Sequence, residues 1–431
     1  MPDDNFPHPP EPDESAPDAP QTRPLKEQIA FERRMVLLVG TLQFVSSLSL
    51  MMVAPLGPAL SAALGVDPSH MGLIAGSFTG ASAISGIVLA LFLDRFDRRR
   101  ALTFAMMGVV AGSVASAFAT NLTMLLSARI FAGLCGGPAG ALSMSVLVDN
   151  IPLERRGRAM GAALGSVSIA TIVGIPLGLQ LALWGGWRMP FVALAIGGAL
   201  VVLGVLSLLP PQRAHLALLD QIREPPGRRM ARIALKPTAM LAFAIGVAAQ
   251  VPTVLMSVNM SVFVTFNLGL PVEDLRYVYI LSGVLSLLGM RVTGPLVDRF
   301  GATPVTIFTS VMSAGLIYTL YYDWAWLQLP VMLLAPMFML TNMSRYAAQA
   351  ATVSKVPAPA DRAGFMAVYQ SVQQVSSAFG AVLSSALLSS TADGKIVHMP
   401  RLALLSLSLV AIGPVVMYQL EKRLKAGGGS V

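Results

Sequence analysis

The segments Leu93-Asp94-Arg95-Phe96 and Val297-Asp298-Arg299-Phe300 place one Asp-Arg-Phe triplet twice in an otherwise apolar chain. The two aspartates are 204 residues apart, about half of the 431-residue length. A second pair, Glu154-Arg155-Arg156-Gly157 and Asp361-Arg362-Ala363-Gly364, aligns at almost the same offset. Two matches at one spacing imply duplication of a domain-sized unit, far longer than any solenoid repeat.

The composition says what kind of unit was duplicated. Hydrophobic residues make up 55% of the chain and charged residues only 12%, with a mean hydropathy of +0.68. A soluble fold cannot hide that much apolar surface, so an all-α integral membrane protein is expected. Twelve stretches long enough to cross a bilayer fall at about 35–60, 71–93, 101–120, 123–148, 159–184, 188–210, 237–266, 273–297, 303–322, 325–350, 361–389 and 400–420. If both termini are cytoplasmic, the cytoplasmic segments hold 23 of the 30 Lys and Arg, because basic loops resist translocation. That asymmetry accounts for the net charge of +8 without invoking nucleic acid.

The expected organisation is a disordered cytoplasmic tail at 1–27, a six-helix bundle at 28–210, a cytoplasmic linker at 211–236, a second six-helix bundle at 237–421, and a flexible tail at 422–431. The first 27 residues carry Pro, Asp and Glu with little apolar content. Pro210-Pro211 ends span 6, and a polar stretch holding Arg223, Pro225, Pro226, Arg228 and Arg229 precedes span 7. The single cysteine, Cys135, allows no intramolecular disulfide. His8, His70, His215 and His398 lack metal-ligand spacing, and no phosphate-binding Gly-x-x-x-x-Gly-Lys loop is found. Neither a metal, a cofactor nor an enzymatic activity is expected.

Between spans 2 and 3 the chain reads Ala90-Leu91-Phe92-Leu93-Asp94-Arg95-Phe96-Asp97-Arg98-Arg99-Arg100. With six plus six spans and a central basic loop, this resembles the major facilitator superfamily, whose signature there is Gly-x-Leu-Ala-Asp-Arg-x-Gly-Arg-Lys. Asp94, Arg95, Arg98 and Arg99 match, whereas Ala90 and Asp97 stand where glycines are usual. The second copy keeps Gly294 and Gly301 but lacks the later basic pair. Arg129-Ile130-Phe131-Ala132-Gly133 in span 4, the Gly165, Gly174, Pro176 and Gly178 series in span 5, and Trp187-Arg188-Met189-Pro190-Phe191 resemble elements of the drug and metabolite antiporter branches. The resemblance implies two pseudosymmetric six-helix bundles and a proton-coupled exporter in the cell's inner membrane, working as a monomer on a small-molecule substrate. An importer of a small metabolite, or a membrane sensor without flux, are the alternatives.

A carboxylate at the end of span 2 is stabilised by a facing helix N-terminus. Asp94 is therefore expected to bridge to the start of span 11 near Arg362 and Gly364, and Asp298, with Arg299 beside it, to the start of span 5 near Gly157. Asp149, at the end of span 4, is expected to pair with Arg98 or Arg99. These groups form the expected gate and coupling set.

Polar residues inside spans must pair or line water. Asn342, Arg345, Tyr346 and Gln349 fall on one face of span 10, and Gln370, Gln373, Gln374 and Ser377 repeat the spacing in span 11. Gln43 in span 1, and Gln250, Thr253, Asn259 and Asn267 in span 7, extend the set. With Arg129, the expected substrate-contact residues are Gln43, Gln250, Asn259, Asn342, Arg345, Tyr346, Gln349, Gln370, Gln373 and Gln374. No Asp or Glu lies well inside any span. A cavity with arginine and amides but no acid favours neutral, zwitterionic or anionic solutes.

Glycines at four-residue intervals, Gly72, Gly76 and Gly80 in span 2 and Gly157, Gly161 and Gly165 in span 5, predict close helix approach. Pro55 and Pro58 predict a kink at the outer end of span 1.

Overall fold

The computed structural model describes residues 25–90, 96–210, 232, 234–322, 330–357 and 362–426. The first half contains α1 (Leu25–Met51), α2 (Gly57–Leu64), α3 (Met71–Ala90), α4 (Arg98–Ala117), α5 (Leu122–Asn150), α6 (Leu153–Ile169), α7 (Ile175–Gly185) and α8 (Met189–Leu208). The second contains α9 (Pro237–Ser257), α10 (Met260–Val262), α11 (Leu275–Phe300), α12 (Ala302–Ile317), α13 (Val331–Val353), α14 (Arg362–Leu387) and α15 (Met399–Ala426). A hairpin of β1 (Ser389–Ser390) and β2 (Ile396–Val397) joins the last two helices.

Nine helical segments among the described residues are long and apolar enough to span a membrane. Three further helices, α3, α13 and α14, have 20, 23 and 26 residues. Their surfaces are those of a lipid-embedded bundle: Phe104 is 72% exposed, Phe308 64% and Val311 67%. Helix is the form that lets such segments satisfy their backbone without water. The ends are set locally. Asp97 caps α4 by accepting the Arg100 amide at 3.2 Å, and Asn121 caps α5 by accepting the Met124 amide at 2.8 Å. Proline occupies the first turn of α2, α7, α8 and α9, where its missing N–H costs nothing. Helix α1 begins at Leu25, inside the stretch expected to be tail, and Glu32 ties it to Arg155 of α6 at 3.2 Å. The rest of the 1–27 tail, nearly all of the 211–236 linker and residues 427–431 lie outside the described residues.

Three long helices are interrupted. The Pro55 kink separates α1 from α2 as the sequence predicts. A π turn over Ala170–Gly174 precedes α7, one residue before Pro176, with the Ile175 amide donating to the Ala170 carbonyl. A second π turn, Phe263–Asn267, follows α10.

The two halves meet at one end of the bundle. Helix α3 packs along α14, and α7 with its π turn packs along α11. A Cβ placed on Gly72 would lie 2.2 Å from the Ala381 carbonyl oxygen, one on Gly57 2.5 Å from Val262, and one on Gly283 2.6 Å from Ile172. The Leu73 amide donates to Ser385 Oγ at 2.8 Å, and Arg276 donates to Gln180 Oε1. Small residues thus admit backbone contact that side chains would forbid.

The opposite end, which carries Arg98, Arg155 and Arg299, is built differently. The hydrogen bonds and ion pairs described there stay within one half or the other, among them Arg98–Asp149, Arg155–Glu32 and Glu421 to Ala302 and Thr303. A Cβ on Gly157, Gly161, Gly165 or Gly294 would meet nothing within 4 Å. The Gly72 stripe therefore seals a helix pair, whereas the Gly157 stripe expected to do likewise faces open space. The bundle is closed at one end and parted at its basic end.

Candidate functional site

Helix α13 brings the predicted polar face inward. Arg345 is 3% exposed, Asn342 4% and Gln349 2%. Arg345 Nη2 donates to Asn342 Oδ1 at 2.8 Å and to Thr253 Oγ1, on α9, at 2.9 Å. The Thr253 hydroxyl in turn donates to the Ala249 carbonyl at 2.8 Å. Arg345 Nε, Asn342 Nδ2 and Gln349 Oε1 are buried and have no hydrogen-bond partner. The i, i+3, i+7 spacing thus yields two unused donors and one unused acceptor on one helix face, beside a guanidinium whose described partners are neutral.

Arg129 forms a second buried centre. It is fully buried on α5, its Nη2 donating to the Ser49 carbonyl at 2.7 Å and its Nη1 to Ser49 Oγ at 3.4 Å. The guanidinium carbon lies 4.4 Å from the centre of the Phe78 ring on α3, a cation–π contact. The Ser49 carbonyl sits two residues before the end of α1, so one side chain ties α1, α3 and α5 together just below the Pro55 break.

The other expected contact residues separate into groups. Gln43, Gln250, Tyr346 and Gln374 are half-buried, and Gln370 is exposed. Gln373 is buried and donates to Tyr369 Oη at 3.2 Å. Asn259 is fully buried and donates to Ser384 Oγ, holding the end of α9 to α14. Asn267 pairs with both backbone groups of Ile396 at 2.9 Å, anchoring the hairpin as an extra strand residue would. For Asn267 the polarity serves packing, whereas Asn259 also keeps a buried Oδ1 without a partner.

At the basic end, Asp94 and Arg95 lie outside the described residues. Arg98 Nη1 stands 3.0 Å from Asp149 Oδ2, and Arg99 donates to the Leu206 carbonyl at the end of α8. Arg299 stacks on its neighbour Phe300. Gly157, the expected neighbour of Asp298, has open space around it, because the two halves are apart at that end.

Two polar centres at helix ends have weak or no signals in the sequence. Glu421 on α15 accepts the Ala302 amide at 2.9 Å and the Thr303 hydroxyl at 2.6 Å. Asp67 accepts the Ser69 amide at 2.8 Å and its hydroxyl at 2.6 Å. Burial pulls the Asp67 carboxyl up, but hydrogen bonds from Ser69 and from Ser390, with His70 nearby, outweigh it and hold the group below its ordinary value. Of these, only the Asp-Pro-Ser turn at 67–69 is readable from sequence.

The family profile described as the Major Facilitator Superfamily matches residues 39–381. A chloramphenicol resistance protein of Streptomyces lividans is 27% identical over 281 residues, covering 65% of this chain and 69% of that protein. A purine ribonucleoside efflux pump of Salmonella enteritidis is 32% identical over 141 residues, 32% of this chain and 36% of the pump. Among solved structures, a D-xylose-proton symporter superposes with a TM-score of 0.71 at 17% identity, over 91% of this chain and 98% of the symporter.

Proposed function

Because the chain belongs to the Major Facilitator Superfamily, a fold and family of transporters rather than enzymes, we propose that it is a proton-coupled exporter of a small organic solute. The solute is neutral, zwitterionic or anionic, and transport proceeds by alternating access. The observation that carries this reading is the unsatisfied polar face of Asn342, Arg345 and Gln349, buried in a bundle sealed at one end and parted at the other. The excess of Lys and Arg at the parted end supports a cytoplasmic position for it and for both termini, and the inner membrane is the location we propose. The conformation is then inward-open. Relatives named for drug resistance and efflux support export over import.

In this reading the bundles at 28–210 and 237–421 rock about the Arg345 face, and the 211–236 linker joins them on the cytoplasmic side. Asp94 and Asp298 latch the cytoplasmic ends only when the bundle is outward-open, and the open space beside Gly157 fits the opposite state. Asp94 and Asp149 are the candidate proton carriers, since no carboxylate lies well inside a span. Counterflow of candidate solutes in proteoliposomes, with and without a pH gradient, tests the proposal. An exporter drives solute against a gradient in exchange for protons, an importer accumulates it with them, and a sensor shows no flux. Asp94→Asn is expected to cut transport without preventing insertion, and unchanged transport would remove the latch.

A further inference from the structure

The geometry points to a carboxylate-bearing, singly charged anion as the solute held by Arg345, with Arg345 Nε and Asn342 Nδ2 as the free donors. This deepens the transport reading and rests on it.

A guanidinium presents five N–H donors in a fixed fork, and it keeps its charge in any protein environment. Arg345 uses Nη2 on the oxygens of Thr253 and Asn342, both neutral. Its Nε has no partner although the residue is 97% buried, and no carboxylate is paired with it among the described residues. Asn342 Oδ1 accepts from Arg345 Nη2, which turns its amide so that Nδ2 is the free end. The two unused donors therefore belong to residues one helical turn apart on a single face. A carboxylate has two oxygens in one plane and is the group that a guanidinium edge and a neighbouring N–H receive together.

Charge points the same way. A buried cation without a counterion is costly, and the sequence supplies no acid inside the spans to neutralise it. The anion itself then provides the missing charge, so the loaded site is neutral while the empty one is not. Gln349 Oε1, one turn further on, is an unused acceptor and suits a hydroxyl or amide N–H on the same solute.

The test uses the full-length protein purified in detergent, with benzoate as the probe and benzamide as its neutral counterpart of the same shape. Saturable thermal stabilisation by benzoate, and none by benzamide, is expected. Arg345→Gln abolishes it, and Arg345→Lys weakens apparent affinity about tenfold or more through loss of the fork. Asn342→Asp keeps the arginine but supplies a fixed carboxylate beside it, and should also abolish benzoate binding. This variant keeps the test decisive if Arg345→Gln does not fold. Equal stabilisation by benzamide, no response to benzoate, or benzoate binding unaffected by Asn342→Asp would each overturn the anion site. Binding as expected without flux of any solute in counterflow would instead sink the transporter reading and leave the site standing. Transport of neutral solutes indifferent to Asn342→Asp would do the reverse.

Discussion

The carboxylate of Glu421 accepts the backbone amide of Ala302 at 2.9 Å, from a helix 119 residues further along the chain. The two copies of the Asp-Arg-Phe segment explain why. In the first, the next residue is Asp97, at φ −58°, and its own side chain caps α4. In the second, the corresponding residue is Gly301, at φ 87°, which has no side chain to offer. Glu421 supplies the cap for α12 from outside. Loss of such a cap costs about 0.5–2 kcal/mol. Glu421→Ala is therefore expected to lower the melting temperature in detergent. Gly301→Asp, which restores the first copy's sequence, should not rescue it, because a left-handed φ strains any residue with a Cβ.

Gly72→Val is expected to disfavour the sealed end, where even a Cβ would overlap the Ala381 carbonyl. Overpacking of this kind costs about 1–3 kcal/mol, a shift of about 5–150-fold in a two-state equilibrium. An impermeant thiol reagent applied from outside to Gln43→Cys in a Cys135→Ala background reads the change. Labelling should rise and transport fall.

Arg129→Ala removes the donor to the Ser49 carbonyl and opens the space beside Phe78. An orphaned buried acceptor costs about 1–3 kcal/mol, before the lost packing is counted. Arg129→Lys keeps the charge but not the flat face over the ring, so it should recover only part of the stability and of the transport rate.

Arg98 and Asp149 are only partly covered, at 13% and 27% side-chain exposure. A double-mutant cycle with Arg98→Ala and Asp149→Ala should give a coupling of about 0.2–1 kcal/mol in thermal stability. A much larger effect on transport than on stability would mark the pair as part of the moving gate.

The Asp67 carboxyl, at the sealed end, is held below its ordinary value of 3.8. Only the Ser390 hydrogen bond crosses between the halves, so the carboxylate's contribution to closure is present while the group is ionised and is lost as pH falls through its lowered value. Across about pH 5 to 8, outer closure measured by thiol labelling should therefore not titrate through this group. Asp67→Asn should weaken closure equally throughout that window.

Much of this was legible in the residues. Apolar length located the helices, and Pro55 located the break between α1 and α2, because both follow from local backbone chemistry. The i, i+3, i+7 series of Asn342, Arg345 and Gln349 located the buried polar face. What spacing could not resolve was the identity of the partner. Gly72 and Gly157 head stripes of equal period, yet only the first meets a helix, because contact depends on which end of the bundle is closed. Asn267 and Gln370 are both amides in or beside spans, but one is a packing bond and the other is exposed. Glu421 sits in a charged helix end with no pattern to single it out, since its partner is a backbone amide.

The sealed end sets Gly57, Gly72, Gly76, Gly283 and Ala381, residues with no rotamers to freeze, among its contacts with Val262, Ile172 and Ser385. Side-chain entropy, which opposes most helix docking, is reduced where these glycines dock. Making and breaking it then carries a low thermal cost, and its strength rests on backbone fit rather than on long-range charge. The sealed end should therefore depend less on ionic strength than the basic end, which carries the Arg98–Asp149 and Arg155–Glu32 pairs.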